Sequence, residues 1–234
     1  MALPVLNAAK YRTIVPSLGK EVEYRPYLVK EEKILMIAME SKDERQILTA
    51  LKGVIKACVY DDINVDKLAM FDLEALFLKL RGKSVGETTE IKAKCTECDA
   101  ENNQEINFDD IKMPVVIKKN NTIELTDSVG VILNYPSVAG LEKQDPKANN
   151  VDQAMNMIID CIVSIYDADN VYSAKSEGTK AVEAFIDSLN SGQFKKLTAY
   201  FEDIPAVTYD LKFDCSKCGH KNDIELRGFD NFFG

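Results

Sequence analysis

Cys95-Thr96-Glu97-Cys98 and Cys215-Ser216-Lys217-Cys218 are two C-x-x-C pairs set far apart in one chain. Together they supply four thiolates, the number a tetrahedral zinc ion takes. An alternating run precedes each pair: Glu90-Ile91-Lys92-Ala93-Lys94 and Tyr209-Asp210-Leu211-Lys212-Phe213-Asp214. Turn-forming residues follow, Asp99 to Asn103 and Gly219 to Asn222, and then a second strand-like run. These second runs are Glu105-Ile106-Asn107-Phe108 and Asp223-Ile224-Glu225-Leu226. The pattern of strand, knuckle, strand is written twice. It predicts a zinc-ribbon-like β element in which Cys95, Cys98, Cys215 and Cys218 hold one structural Zn2+. Separate thiol-exchange pairs are the competing reading, because C-x-x-C also serves redox chemistry.

Composition favours metal over disulfides. The chain has 234 residues, 46% hydrophobic and 29% charged, enough for one large domain or two small ones. Six cysteines are few for a disulfide-built secreted protein of this length. The opening Met1-Ala2-Leu3-Pro4-Val5-Leu6-Asn7 lacks a basic region followed by an apolar stretch, and no run reaches membrane-spanning length. A reducing compartment and no membrane segment are expected. The net charge of −9 bears on a second alternative, a nucleic-acid-binding ribbon. Phosphate binding needs a clustered basic surface, whereas lysines here alternate with acids. Lys92, Lys94, Lys217, His220 and Lys221 give the ribbon a slight local excess, which the negative charge of a tetrathiolate site explains equally well. Nucleic acid is therefore disfavoured as a partner.

The knuckles belong to a longer self-similarity. Ile14 to Pro26 carries Pro16-Ser17-Leu18-Gly19 between two alternating runs and predicts a hairpin; Val115 to Leu125 is its counterpart, with the turn at Lys118 to Asn121. Helices follow in both halves. Val29 to Met39 is helical by composition, and Asp43 to Tyr60 has its counterpart in Val151 to Tyr166, whose Ala154, Met155, Ile158, Ile159, Ile162 and Ile165 make one apolar side. Phe71 to Leu80 corresponds to Thr179 to Leu189, and Gln193 to Phe201 adds a helix in the second half. The expected fold is α+β, with two related hairpin-plus-helices units joined by the two-knuckle β element. Its expected parts are an N-terminal arm (1–12), a first unit (13–113), a second unit (114–228) and a C-terminal tail (229–234).

Catalytic chemistry is hard to place on this chain. Four cysteines fill a metal shell, and the single histidine, His220, reads as a surface or supporting residue. Phosphate-binding, dinucleotide and nucleophile-elbow motifs are missing from the sequence. Asp61-Asp62 and Asp109-Asp110 fall at element ends, and Asp167-Ala168-Asp169 lacks the glycine and glutamate of a calcium loop. Cys58 and Cys161 lie on apolar helix faces and read as buried thiols. The tail is more suggestive: Phe229, Phe232 and Phe233 form an apolar cluster beyond the last strand, a candidate anchor on a partner.

The chain resembles the baseplate hub subunits of T4-type contractile-tailed bacteriophages. Pro16-Ser17-Leu18-Gly19-Lys20-Glu21-Val22-Glu23-Tyr24-Arg25-Pro26-Tyr27 carries the likeness, followed by Val29-Lys30-Glu31-Glu32-Lys33-Ile34-Leu35 and Met39-Glu40-Ser41. A third block is Phe71-Asp72-Leu73-Glu74-Ala75-Leu76-Phe77-Leu78-Lys79-Leu80-Arg81, with Lys83-Ser84-Val85-Gly86 after it. The resemblance implies a non-enzymatic protein of tail morphogenesis, a hub subunit or a hub assembly factor. Its implied partners are other baseplate hub or tail proteins, met in the host cytoplasm during tail assembly or, for a hub subunit, in the virion baseplate. The zinc expectation rests on the cysteines of this sequence alone.

Overall fold

The computed structural model describes residues 7–115, 121–145 and 148–228. A hairpin comes first, β1 (Tyr11–Val15) with β2 (Lys20–Tyr24), and turns Val15, Val22 and Tyr24 inward. Helices α1 (Val29–Ser41), α2 (Glu44–Cys58) and α3 (Met70–Ser84) follow. Apolar spacing explains α2, whose Leu51, Val54, Ile55 and Cys58 are buried at three- and four-residue steps. Asp43 starts it by accepting the Arg45 and Gln46 N–H groups. The apolar residues of α3 surround its axis, and it is buried almost all round, Leu73, Leu76, Leu78 and Leu80 included.

Two buried acids tie these elements together. Asp72 on α3 is fully buried and accepts both the Ser17 N–H, at 2.7 Å, and the Ser17 hydroxyl, so the β1–β2 turn is pinned to the helix. Glu31 on α1 is 3% exposed; it pairs with Arg25 at 2.9 Å and accepts the Leu28 N–H at 2.8 Å. Arg25 also donates to the Ala57 carbonyl at the end of α2. One ion pair thus links the exit of β2, the start of α1 and the end of α2.

The first knuckle hairpin is β3 (Thr88–Lys94) and β4 (Glu101–Asn107). An antiparallel four-stranded sheet comes next, ordered β5 (Thr122–Glu124), β6 (Gly130–Leu133), β7 (Ile162–Tyr166) and β8 (Val171–Ser173). Helices α4 (Val138–Lys143) and α5 (Asn150–Cys161) lie between β6 and β7 in the chain. After β8 come α6 (Ala174–Glu177), α7 (Thr179–Asp187) and α8 (Ser191–Glu202). Leu125, Val131, Leu133, Ile158, Ile162, Val182, Ile186 and Leu197 form the core of this part. Gly130 is required at its position: a Cβ there would run into the Tyr166 ring and the Ile123 carbonyl. The chain ends in the second knuckle hairpin, β9 (Thr208–Asp214) and β10 (Lys221–Arg227).

The architecture is α+β with small antiparallel sheets. Two compact units emerge: one takes the described residues of Met1–Val65, Phe71–Val116 and Pro205–Gly234, the other those of Asp66–Met70 and Ile117–Ile204. This differs from sequential halves at 13–113 and 114–228. The second knuckle hairpin packs with the first unit, where Leu211, Phe213 and Val207 share a core with Ala75, Leu78, Ile91 and Ile106. Two expected elements also shift. Helix α5 stops at Cys161, because the run Ile162-Val163-Ser164-Ile165, rich in β-branched residues, pairs as β7 between β6 and β8. The second run of the hairpin expected within Val115 to Leu125 gains a partner outside it: Thr122–Glu124 pairs with Gly130–Leu133 across a turn closed by the Leu125 and Thr126 N–H groups on the Val129 carbonyl. Residues 116–120 lie outside the described residues.

The Arg25–Glu31 pair makes stability pH-dependent. Burial pushes the Glu31 carboxyl up, but the Arg25 guanidinium and the Leu28 N–H outweigh it and hold it below its ordinary value. A lowered folded-state pKa contributes stability that is present above the unfolded value of about 4.3 and is lost as pH falls through the folded one. Glu31→Gln should cost about 3 kcal/mol at pH 7 by leaving Arg25 without its partner. In urea melts that deficit should shrink below pH 4; a deficit independent of pH would assign the loss to packing.

Candidate metal centre

Each C-x-x-C pair sits in the tight turn of a hairpin, and the two turns are built alike. In the first, the Cys95 N–H donates to the Ala100 carbonyl at 2.9 Å and the Asp99 N–H to the Cys95 carbonyl at 3.0 Å. In the second, the Cys215 N–H donates to the His220 carbonyl at 2.8 Å and the Gly219 N–H to the Cys215 carbonyl at 2.9 Å. The residue after the second cysteine is left-handed in both, Asp99 at φ 55° and Gly219 at φ 73°. Strand alternation then turns Ile91 and Ala93 of one arm, and Leu211 and Phe213 of the other, into the shared core. That common burial brings the two turns face to face.

All four sulfurs lie within 4.8 Å of one another. Across the knuckles, Cys95 Sγ is 3.7 Å from Cys218 Sγ, and Cys98 Sγ is 3.7 Å from Cys215 Sγ. A tetrahedron with metal–sulfur bonds of about 2.3 Å has edges of about 3.8 Å, so the sulfurs are spaced for one ion at their centre. All six cysteines of the chain are unpaired. Cys95 and Cys215 are the inner pair, 1% and 4% exposed, while Cys98 is half-buried and Cys218 exposed. A backbone N–H approaches each inner sulfur, Glu97 N at 3.5 Å from Cys95 and Lys217 N at 3.4 Å from Cys215.

Sequence reasoning did not single out Asn102 and Asn222, which contact both knuckles. Both are buried, 5% and 4% exposed, and each reaches across to the opposite knuckle. The Asn102 Oδ1 accepts the Ser216 N–H and hydroxyl, both at 2.9 Å. The Asn222 Oδ1 accepts the Thr96 N–H at 2.9 Å and its hydroxyl at 3.0 Å. Their amide nitrogens lie 3.8 Å from Cys215 Sγ and 3.7 Å from Cys95 Sγ. The signal was present, since each asparagine stands seven residues after the first cysteine of its pair and the two arms are offset by 120 residues throughout.

Electrostatics separate the thiols. Backbone N–H donors from Cys218 and Lys217 draw Cys215 down to about 6. Burial pushes Cys95 up, but the Glu97 and Cys98 N–H groups and the Asn222 amide outweigh it, leaving it below the ordinary thiol value. At Cys218 the His220 N–H pulls downward, and the neighbouring thiols, Cys98 first, push it up to about 12. Four thiols this close cannot all ionise at neutral pH without a cation among them. A divalent ion would take their protons' place.

Other residues singled out from sequence lie elsewhere. Cys58 and Cys161 are buried, and desolvation pushes them up to about 11 and about 12, as suits inert core thiols. Asp61 accepts the Glu23 N–H at 2.6 Å, and the Asp167 carboxylate is occupied by the Asp169 and Asn170 N–H groups of its own turn. His220 is exposed. Lys92 pairs with Glu101 on the surface of its own arm, and Lys212 likewise with Asp223, which breaks up positive charge there. Phe229, Phe232 and Phe233 lie outside the described residues.

The two left-handed positions should respond differently to substitution. Gly219→Ala should cost about 1 kcal/mol, since no atom crowds the site and only the positive φ opposes a side chain. Asp99→Gly should be within about 0.5 kcal/mol of neutral, relief of the left-handed strain being offset by a more flexible unfolded chain. Urea unfolding of the two variants checks both; equal losses would mean that the turns are not equivalent.

A search of the curated proteins and one of the solved structures each return no match. The family model described as T4 bacteriophage base plate protein matches residues 8–234, nearly the whole chain. This chain belongs to the T4 bacteriophage base plate protein family.

Proposed function

We propose that this protein is a non-enzymatic baseplate hub subunit or hub assembly factor that acts through protein–protein contacts and carries one structural zinc ion. Family membership across nearly the whole chain is the observation that carries this reading. Cys95, Cys98, Cys215 and Cys218 would hold the ion. A shell filled by four thiolates has no open position for substrate or water, as befits a structural rather than a catalytic zinc. The ion would join two hairpins that are far apart in sequence.

Contacts with other phage structural proteins find support on α1. This helix carries apolar residues around its circumference, and Val29, Ile34, Met36, Ile37 and Met39 are each at least half exposed. Exposed apolar groups in such number on one helix are a usual mark of a partner surface. Phe229, Phe232 and Phe233 would add aromatic anchors, the residue type that dominates many interfaces. No helix among the described residues is long and apolar enough to cross a membrane. Tail assembly in the host cytoplasm is the setting of this reading, with residence in the virion baseplate if the chain is a hub subunit.

Native mass spectrometry should find one zinc per chain, lost on Cys95→Ser or Cys215→Ser alike. A visible charge-transfer absorption would identify iron instead. Metal-free protein with two disulfides, Cys95–Cys98 and Cys215–Cys218, would favour thiol exchange. Deleting residues 229–234 should weaken co-purification with the phage's other hub proteins while leaving the melting temperature unchanged. If the truncated chain unfolds, the tail belongs to the core.

A further inference from the structure

We infer that Asn102 and Asn222 are positioning residues of the metal centre that act crosswise, each holding the knuckle of the opposite arm. The inference rests on the reading of the four cysteines as a metal site. A buried carboxamide must satisfy two acceptor positions and two N–H groups. Both asparagines do so by dividing the work. Within its own arm each donates across the turn, Asn102 to the Ala100 carbonyl at 2.8 Å and Asn222 to the His220 carbonyl at 3.1 Å. Across the site, the oxygen takes the N–H and hydroxyl of the residue after the first cysteine, Ser216 or Thr96. The amide nitrogen also faces the inner sulfur of that same opposite knuckle, Cys215 or Cys95, and that of Asn222 lies 3.5 Å from the Phe213 carbonyl as well.

Three consequences follow from this geometry. Each inner sulfur is flanked by N–H groups from its own turn and one amide from the other arm, and these donors offset part of the negative charge that four thiolates bring. The hydroxyl at position 96 or 216 matters as much as the amide: threonine and serine are the residues that can give the asparagine a second donor there. Finally, neither knuckle is complete alone, because the group that fixes each turn belongs to the hairpin that begins or ends 120 residues away.

The test uses the full-length, zinc-loaded chain. Zinc transfer to a chromogenic chelator is followed together with the order in which iodoacetamide labels the cysteines, mapped by mass spectrometry. Asn222→Ala should speed zinc transfer by about 10–100-fold and expose Cys95 before Cys215. Asn102→Ala should speed it similarly and expose Cys215 before Cys95. An asparagine that merely supported its own hairpin would give the reverse order, and that result, or transfer at the wild-type rate, overturns the inference. Should either alanine variant fail to fold, Asn222→Asp and Asn102→Asp decide instead. They keep acceptor oxygens for Thr96 and Ser216 but offer no N–H to the sulfur, and the same crossed pattern with faster transfer is expected. Wild-type protein that carries no metal sinks the metal-site reading itself, and this outcome is recognised before any variant is made.

Discussion

Four sulfur atoms held within 4.8 Å of one another are the constraint on which the rest of the structure turns. They come from hairpins 120 residues apart in sequence, so the chain must come back to the first unit to supply the second pair. That requirement explains the discontinuous composition of the first unit and makes residues 117–204 an insertion between its two arms. A crosslink that closes a loop of this length removes chain entropy worth about 4–5 kcal/mol from the unfolded state, in the simplest treatment. A shared ion would act as that crosslink. Without one, the thiols repel as they ionise, and the apolar faces of Ile91, Ala93, Leu211 and Phe213 must hold the arms together on their own.

Polar groups do specific work elsewhere in the first unit. Asp72 and Glu31 are among the few buried polar or charged residues; Asp72 is satisfied by a turn 55 residues away, and Glu31 by Arg25 and the Leu28 N–H of its own helix start. Buried pairs of this kind add little net stability compared with apolar contacts, yet breaking one leaves a stranded charge. Their contribution is therefore to exclude other packings of the β1–β2 hairpin against α1 and α3. Ser17, Arg25, Glu31 and Asp72 all fall inside the sequence blocks by which the chain resembles baseplate proteins. The resemblance thus coincides with a set of buried polar contacts, which apolar periodicity alone would not reveal.

Local signals in the sequence were enough for the helices of the first unit, the knuckle strands and the four candidate ligands. Each depends on spacing within a dozen residues: three- and four-residue apolar steps in α2, alternation in β3 and β9, a fixed turn between paired cysteines. The boundaries of the second unit depended on more distant partners. Ile158 and Ile159 in α5 and Ile162 in β7 enter the same core, so one continuous helical stripe and a helix followed by a strand predict nearly the same apolar pattern. What decides is that β7 has β6 on one side and β8 on the other, and no local rule contains that fact. Asn102 and Asn222 were hidden for a different reason: an asparagine near a turn has an ordinary local explanation, and its reach to the other arm is visible only once the arms meet.

The two arms match in architecture but not in every residue, and the differences bear on what the centre can do. Thr96 and Ser216 differ by a methyl group and keep the hydroxyl that the opposing asparagine requires, so the crossed contacts are the same on both sides. Glu97 and Lys217 occupy equivalent exposed positions with opposite charge, which adds no net charge to a cluster already negative when loaded. Asp99 and Gly219 adopt the same left-handed turn with different ease. Substitution is therefore tolerated where side chains face solvent, while the sulfurs, the asparagines and their hydroxyl partners retain their geometry. A centre arranged in this way, filled by four thiolates and clasped from both sides, suits a fixed joint between distant parts of a chain. Once loaded it would have no position left for a reacting group, which is the physical argument for seeking the role of this protein in its surfaces rather than at these four cysteines.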